Sequence, residues 1–308
     1  MSALARIAGF VALLAAVFAA ASLAGAKLDP GVDDSDEQHE EAEEDMETMA
    51  TTSATTNDAR ALPGLAVAEG GYRLEPQRTI VEPGKRVSYS FRIVNDEAGE
   101  TVRDFDVEHE RRMHLIIVRR DFAEFQHLHP RQLHDGSWEV KADLRASGVH
   151  RVFADFATAG TSLTLGADLF VSGPFEPVPL PAPAPTADAG DGYEVELRSA
   201  RPDAGATTDA TFIVRRNGRV LDEIEPYLGA DGHLVALREH DQAFLHTHPE
   251  GEAGGPGRIR FAVSYASAGR YRLFLQFKHR DEVHTAAFTQ EVTGSSSETE
   301  KASHGDDH

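Results

Sequence analysis

One body of sequence occurs twice in this chain. Tyr72 and Tyr193, Gly84 and Gly205, Phe91 and Phe212, and Ile93 and Val214 each stand 121 positions apart, and Gly148 with Gly269 and Phe153 with Phe274 keep that offset. Between them His114, His127 and His129 recur as His233, His246 and His248 at an offset of 119. A two-residue length change before the first histidine, compensated after the third, falls in loops. The chain of 308 residues must therefore fold as two copies of one body. Each copy has about one hundred residues, enough to bury a modest core of its own.

Within each copy the hydrophobic period is two rather than 3.6, as in RVSYSFRIV (86–94), MHLIIVR (113–119), VHRVFADF (149–156) and RYRLFLQF (270–277). Such runs are strands. Turn signals (EPGK, HDGS, RNGR, ASAG) separate them at intervals that suit an antiparallel sandwich of about seven strands. The fold class is all-β, with sandwich repeats at 66–173 and 192–294. The proline-rich stretch 174–191 reads as a semi-rigid linker able to hold the bodies up to about 60 Å apart; independent sites are the simpler expectation, and an ion shared across the linker is the alternative.

Arg6 precedes an apolar run from Ile7 to Leu23, followed by Ala24, Gly25 and Ala26. Residues 1–26 read as a signal peptide or membrane anchor: AGA fits a cleavage site, while about 20 apolar residues also suffice for a bilayer-spanning helix. The remainder is expected outside the cytoplasmic membrane, anchored and facing out, or secreted or periplasmic after cleavage. Residues 27–65 form an acidic tether: Asp29 to Glu47 carries eleven acidic side chains and no basic one, and like-charge repulsion opposes folding there. Residues 295–308 read as a disordered tail. The net charge of −21 argues against nucleic acid as a partner and favours cations. With no cysteine there is neither a disulfide, nor a thiolate nucleophile, nor a blue-copper centre of the His-Cys-Met type.

Imidazole is the commonest ligand for borderline metals, and the same three are placed twice. On a strand alternate side chains share a face, so His114 joins Ile116 and Val118, and His233 joins Val235 and Leu237. In His127-Leu-His129 and His246-Thr-His248 an extended backbone puts both rings on one side, Cα atoms about 6.5 to 7 Å apart. Pro130 and Pro249 favour that extension. The thirteen-residue gap lets the chain turn through RRDFAEF or LREHDQAF and return, closing a three-histidine site in each repeat. His109 and Met113 flank the first site, and a thioether beside imidazole suits Cu(I). His284 is the fourth-ligand candidate of the second site, with His279 a solvated turn residue. Met46, Met49, His39, His304 and His308 could only gather metal loosely, and His134, His150 and His240, without counterparts, read as surface residues. The plainer readings are histidines at the rim of a core face or a self-satisfied polar cluster.

The segments EHERRMHLIIVRRDFAEFQHLHP, DEIEPYLGADGHLVALREHDQAFLHTHP and YRLFLQFKHRDEVHTAAFTQEV resemble a family of exported bacterial proteins labelled heavy-metal-binding or YtkA-like, over residues 70 to 294. The resemblance implies tandem immunoglobulin/cupredoxin-like sandwiches and copper-related service outside the cytoplasm. The residues that match its pattern are His109, Met113, His114, His127 and His129, then His233, His246, His248 and His284. Repeat one has Leu163 or Thr164 where repeat two has His284.

The leading expectation is a metal-binding protein, not an enzyme. It would hold copper, with zinc possible, and buffer it or deliver it to a copper-handling membrane or secreted partner, one ion per repeat, with affinity falling below about pH 6 as free imidazoles protonate. The alternatives are an adhesion or scaffold protein with structural histidines, and a copper enzyme similar to superoxide dismutase. The latter needs more histidines, a bridging aspartate and a disulfide that this chain cannot form. No Ser-His-Asp order or paired-carboxylate pattern is present, and the glycine-rich 251–257 precedes a strand rather than a helix, so it is no nucleotide cradle.

Overall fold

A computed structural model describes residues 62–245, 247–249 and 255–294; the leader, the tether through residue 61, His246 and the tail from 295 lie outside the described residues, and with them His39, Met46, Met49, His304 and His308. Every regular element among the described residues is a strand. The first repeat contains β1 (Ala68–Glu69), β2 (Tyr72–Pro76), β3 (Ile80–Val81), β4 (Gly84–Asn95), β5 (Glu100–Thr101), β6 (His114–Arg119), β7 (Gln126–Leu128), β8 (Arg131–Gln132), β9 (Trp138–Leu144), β10 (Gly148–Thr158) and β11 (Thr161–Val171). They form the sheets β1-β2-β4-β9-β8, with β5 on β4, and β3-β11-β10-β6-β7. The second repeat contains β12 (Thr186–Gly190), β13 (Tyr193–Ser199), β14 (Thr207–Arg216), β15 (Arg219–Val220), β16 (His233–Arg238), β17 (Phe244–Leu245), β18 (Thr247–Pro249), β19 (Arg258–Ser264), β20 (Gly269–His279) and β21 (Glu282–Val292). Its sheets are β12-β13-β14-β19-β18, with β15 on β14, and β17-β16-β20-β21. All these pairings are antiparallel except β3 with β11.

Each sandwich closes over its own core. Leu74, Phe91, Ile93, Leu115 and Trp138 are buried in the first, and Val195, Phe212, Val214, Leu234 and Phe261 in the second. A third cluster joins the repeats: Ile116, Val118, Phe122 and Phe153 from the first meet Val235, Leu237, Phe244 and Phe274 from the second. β6 and β10 of one sheet thus stack by their outer faces on β16 and β20 of the other, and β6 is buried on both sides. Full burial of each such side chain stabilises by about 1.5–3 kcal/mol.

This stacking corrects the expectation of two independent bodies held apart by a stiff linker; the described residues fall in one compact unit. The linker itself is shorter than 174–191, because Thr186–Gly190 pairs with β13 as a strand, and Leu180 packs against the inter-repeat cluster. The tether likewise ends before residue 65. Arg151 donates to the carbonyls of Gly64 (2.6 Å) and Leu65 (2.8 Å), and the Phe244 amide donates to the Pro63 carbonyl (2.9 Å). That close approach requires Gly166, where a Cβ would lie 2.0 Å from the Gly64 carbonyl oxygen.

The interface has an internal two-fold character. Phe125 stacks on Phe274 at 4.0 Å, and Phe153 meets Phe244 at 5.6 Å. Phe125 and Phe244 are equivalent positions of the two repeats, as are Phe153 and Phe274. Exchanging the repeats therefore maps one contact onto the other, the signature of a self-complementary interface.

Candidate metal centre

His114 opens β6 and shares the outer face with Ile116 and Val118, as alternation requires. His127 lies on β7, paired with Ile116, and His129 follows two residues later. The coordinating nitrogens of these three rings all lie within 4.8 Å of one another. The fourth ring comes from the other repeat: His233, first residue of β16, sits with its centroid 4.5 Å from His127 and 5.9 Å from His114.

The hydrogen bonds at the far ring nitrogens select one pair of tautomers. His114 donates from Nε2 to the Glu108 carbonyl (3.1 Å), and His127 donates from Nδ1 to Oε1 of Gln276 (2.7 Å), a residue of β20 in the second repeat. Gln276 turns its own amide nitrogen to Thr285 Oγ1 (3.4 Å). With those nitrogens protonated, the lone pairs of His114 Nδ1 and His127 Nε2 face each other at 3.0 Å. His129 Nε2 and His233 Nδ1 are also buried without a hydrogen-bond partner.

Burial is the main cause of a lowered pKa at all four rings. His127 is pushed down to about 3 and His129 to about 4; His114 is lowered, and His233 is held well below its ordinary value. Repulsion among neighbouring imidazoles adds to the effect. Near pH 7 the cluster is therefore neutral, and in these tautomers no proton lies between His114 Nδ1 and His127 Nε2. Two imidazole nitrogens held tetrahedrally about 2.0 Å from one ion stand about 3.3 Å apart, so the observed pair is close to a ligand edge. An acceptor on the far nitrogen of each ring is what a ligating histidine ordinarily has. Asp155, paired in register with His114 and hydrogen-bonded by Thr164 Oγ1 (2.7 Å), adds a carboxylate beside the site.

Two of the expected ligands, Met113 and His284, go elsewhere. Met113 is buried in the core of the first sandwich, on the face opposite His114, so its thioether belongs to packing. His284 pairs in register with Phe277 and turns inward in the second sandwich, 4.1 Å from the Tyr193 ring, because it sits one position out of phase with outward-facing Thr285. It is not part of the cluster. His109 is exposed at the mouth, 6.1 Å from His114 and 6.2 Å from His233 between centroids. The backbone of His248 lies in β18, paired with Ala262 in the other sheet of its repeat, whereas His246 is outside the described residues. Among the described residues His114, His127, His129 and His233 form one composite cluster, while the expected second-repeat site of His233, His246 and His248 falls partly outside the described residues. His150, expected at the surface, is fully buried. The orienting partners Glu108 and Gln276 were missed; a glutamine within the buried run LFLQF was the available signal.

No curated protein matches this chain. Among solved structures it is similar to the Escherichia coli adhesin FdeC, with 11% identity and a TM-score of 0.23 over 74% of this chain and 66% of that one. It is also similar to Yersinia pseudotuberculosis InvD, with 14% identity and a TM-score of 0.23 over 74% and 58%, and to titin Ig tandem domains A164-A165, with 11% and 0.20 over 72% and 97%. The chain thus spans 66% and 58% of the lengths of the two bacterial proteins, and likeness this distant carries no argument about function. One family matches twice, at residues 66–173 and 187–294, the family described as Domain of unknown function (DUF8832). These two matches cover more than half of the sequence, and the chain belongs to the DUF8832 family.

Proposed function

We propose that this protein binds one borderline transition-metal ion between its two repeats, through His114, His127 and His129 of the first and His233 of the second. The observation that carries the reading is the 3.0 Å approach of His114 Nδ1 to His127 Nε2, which face each other as lone pairs when the opposite nitrogens donate to the Glu108 carbonyl and to Gln276 Oε1. A cation between them removes the repulsion, and the unpartnered nitrogens of His129 and His233 supply further donors. An all-imidazole donor set suits Cu(II), Zn(II) and Ni(II), and affinity order puts Cu(II) first. With Met113 in the core, the case for Cu(I) loses its soft ligand. The resemblance to exported heavy-metal-binding proteins points the same way, and the N-terminal apolar run supports service outside the cytoplasmic membrane, as a buffer or carrier rather than an enzyme.

The test is titration of the purified protein with Cu(II) and Zn(II), with metal content read by elemental analysis. One ion per chain is expected, and none in the double variant His127→Ala/His129→Ala. Two ions per chain, or full retention by the double variant, would overturn the composite site. No uptake of any ion would leave a β-sandwich scaffold whose histidines are interface packing.

A further inference from the structure

Among the described residues five imidazoles meet at this junction; His127, His129 and His233 are half-buried and His114 is buried, whereas His109 is exposed, and its backbone is unusual. Glu108 and Arg111 exchange both backbone hydrogen bonds (2.9 and 3.0 Å) around a two-residue turn, with His109 at φ 46° and Glu110 at φ 63°. Both central residues are left-handed, a conformation that turns of this kind usually assign to Asn-Gly or Gly-Gly. The second repeat builds the same turn from Tyr227 to Ala230 (2.7 and 3.3 Å), with Leu228 at φ 57° and Gly229 at φ 80°. There the second position is a glycine and the first a buried leucine. The scaffold thus needs no histidine at this place, and repeat one carries one in a strained turn and in water. The same turn also supplies the Glu108 carbonyl that accepts from His114 Nε2, so it is joined directly to a buried ring of the cluster.

On the reading that the cluster binds metal, we infer that His109 is the uptake and release ligand of the site, a transient donor that carries a borderline divalent ion between water and the buried imidazoles. The buried rings can reach a hydrated ion only after it sheds water, and a ligand at the mouth lets that happen one exchange at a time. The His109 imidazole displaces one water from the ion. His114 or His233, each about 6 Å away by centroid, then takes the ion as further waters leave, and His109 lets go. Release retraces those steps toward an acceptor with imidazole or carboxylate donors. No proton need be transferred, because every donor offers a free lone pair. Backbone strain of this sort is characteristic of places where a side chain is held ready rather than packed.

The experiment compares the full chain with His109→Leu, the residue that the equivalent turn tolerates, and with His109→Ala. Stopped-flow mixing of metal-free protein with Zn(II) or Cu(II) reads uptake, and mixing of loaded protein with excess EDTA reads release. Both rates should fall by about tenfold or more in the variants, while affinity stays within about threefold, since a ligand that only passes the ion on changes the two rates alike. Unchanged rates, or a large loss of affinity with faster release, would overturn the inference, the second by making His109 a standing ligand. Thermal melting checks that both variants fold, and the leucine variant guards against collapse of the turn. Failure of the wild-type protein to bind any ion is seen in its own titration and overturns the site itself, taking this role with it.

Discussion

His114 and His233, equivalent positions of the two repeats, stack across the inter-repeat interface with centroids 5.9 Å apart and planes 10° from parallel. Each opens a strand whose next outward positions, Ile116 and Val118 or Val235 and Leu237, form the apolar seam between the sheets. The cluster is therefore the polar end of a hydrophobic interface. Its geometry depends on how the two sandwiches stack, and a bound ion would in turn tie them together.

Gln276 tests that dependence from the second repeat. Gln276→Leu keeps the volume of the side chain but leaves His127 Nδ1 without its acceptor, freeing the ring to turn and to change tautomer. Affinity should fall by about 10- to 100-fold with stoichiometry unchanged, the usual effect of losing an orienting partner. A competitive chelator titration measures it; an unaltered constant would mean that His127 is held by something else.

Metal should stabilise the fold through both repeats. An ion present at about a thousand times its dissociation constant adds about 4 kcal/mol to the stability of the bound state. His233→Ala leaves the three donors of the first repeat, so the variant should still bind one ion, more weakly, and show a smaller rise in Tm on loading. Equal rises in Tm for variant and wild type would exclude His233 from the donor set.

Acid should weaken the metal-free protein early. In the folded chain His127 and His129 titrate at about 3 and about 4, against about 6.5 for an unfolded histidine. Below pH 6.5 the unfolded chain therefore binds more protons, so this contribution is fully present above that pH. It declines as pH falls and levels off near pH 3. For His127 the slope is at most about 1.4 kcal/mol per pH unit, and less for the more exposed His129. The urea midpoint at pH 5 should lie below that at pH 7, with a smaller difference in His127→Ala. By the same shifts, metal affinity should persist at pH 5, where free imidazole would already have lost it.

The seam itself can be probed at Phe274, buried to 3% exposure and stacked on Phe125. Phe274→Ala should cost about 3–5 kcal/mol. Because Phe274 and Gln276 lie on the same face of β20, metal affinity should fall with it. Loss of stability without any loss of affinity would show the cluster to be independent of the seam.

Much of this was legible in the chain itself. The 121-residue offset and the period of two determined a pair of β-sandwiches, and alternation along MHLIIVR put His114 on the face of Ile116 and Val118, where it stands. The spacing also placed His127 and His129 beside it, because thirteen residues suffice for a strand to turn and return. What the chain did not disclose was that the two bodies stack. The sign was there in HLIIV and HLVAL, apolar on consecutive positions as strands buried on both faces must be. Read as one-sided strands, they suggested one site per body. Only the tertiary structure decided that His233 and Gln276 join the histidine cluster of the other repeat, that Met113 and His284 face the sandwich cores, and that His109 is exposed. The physical reason is that sequence period sets which face of its own sheet a residue occupies, whereas the partner of that face is chosen by burial of apolar surface between segments more than one hundred residues apart.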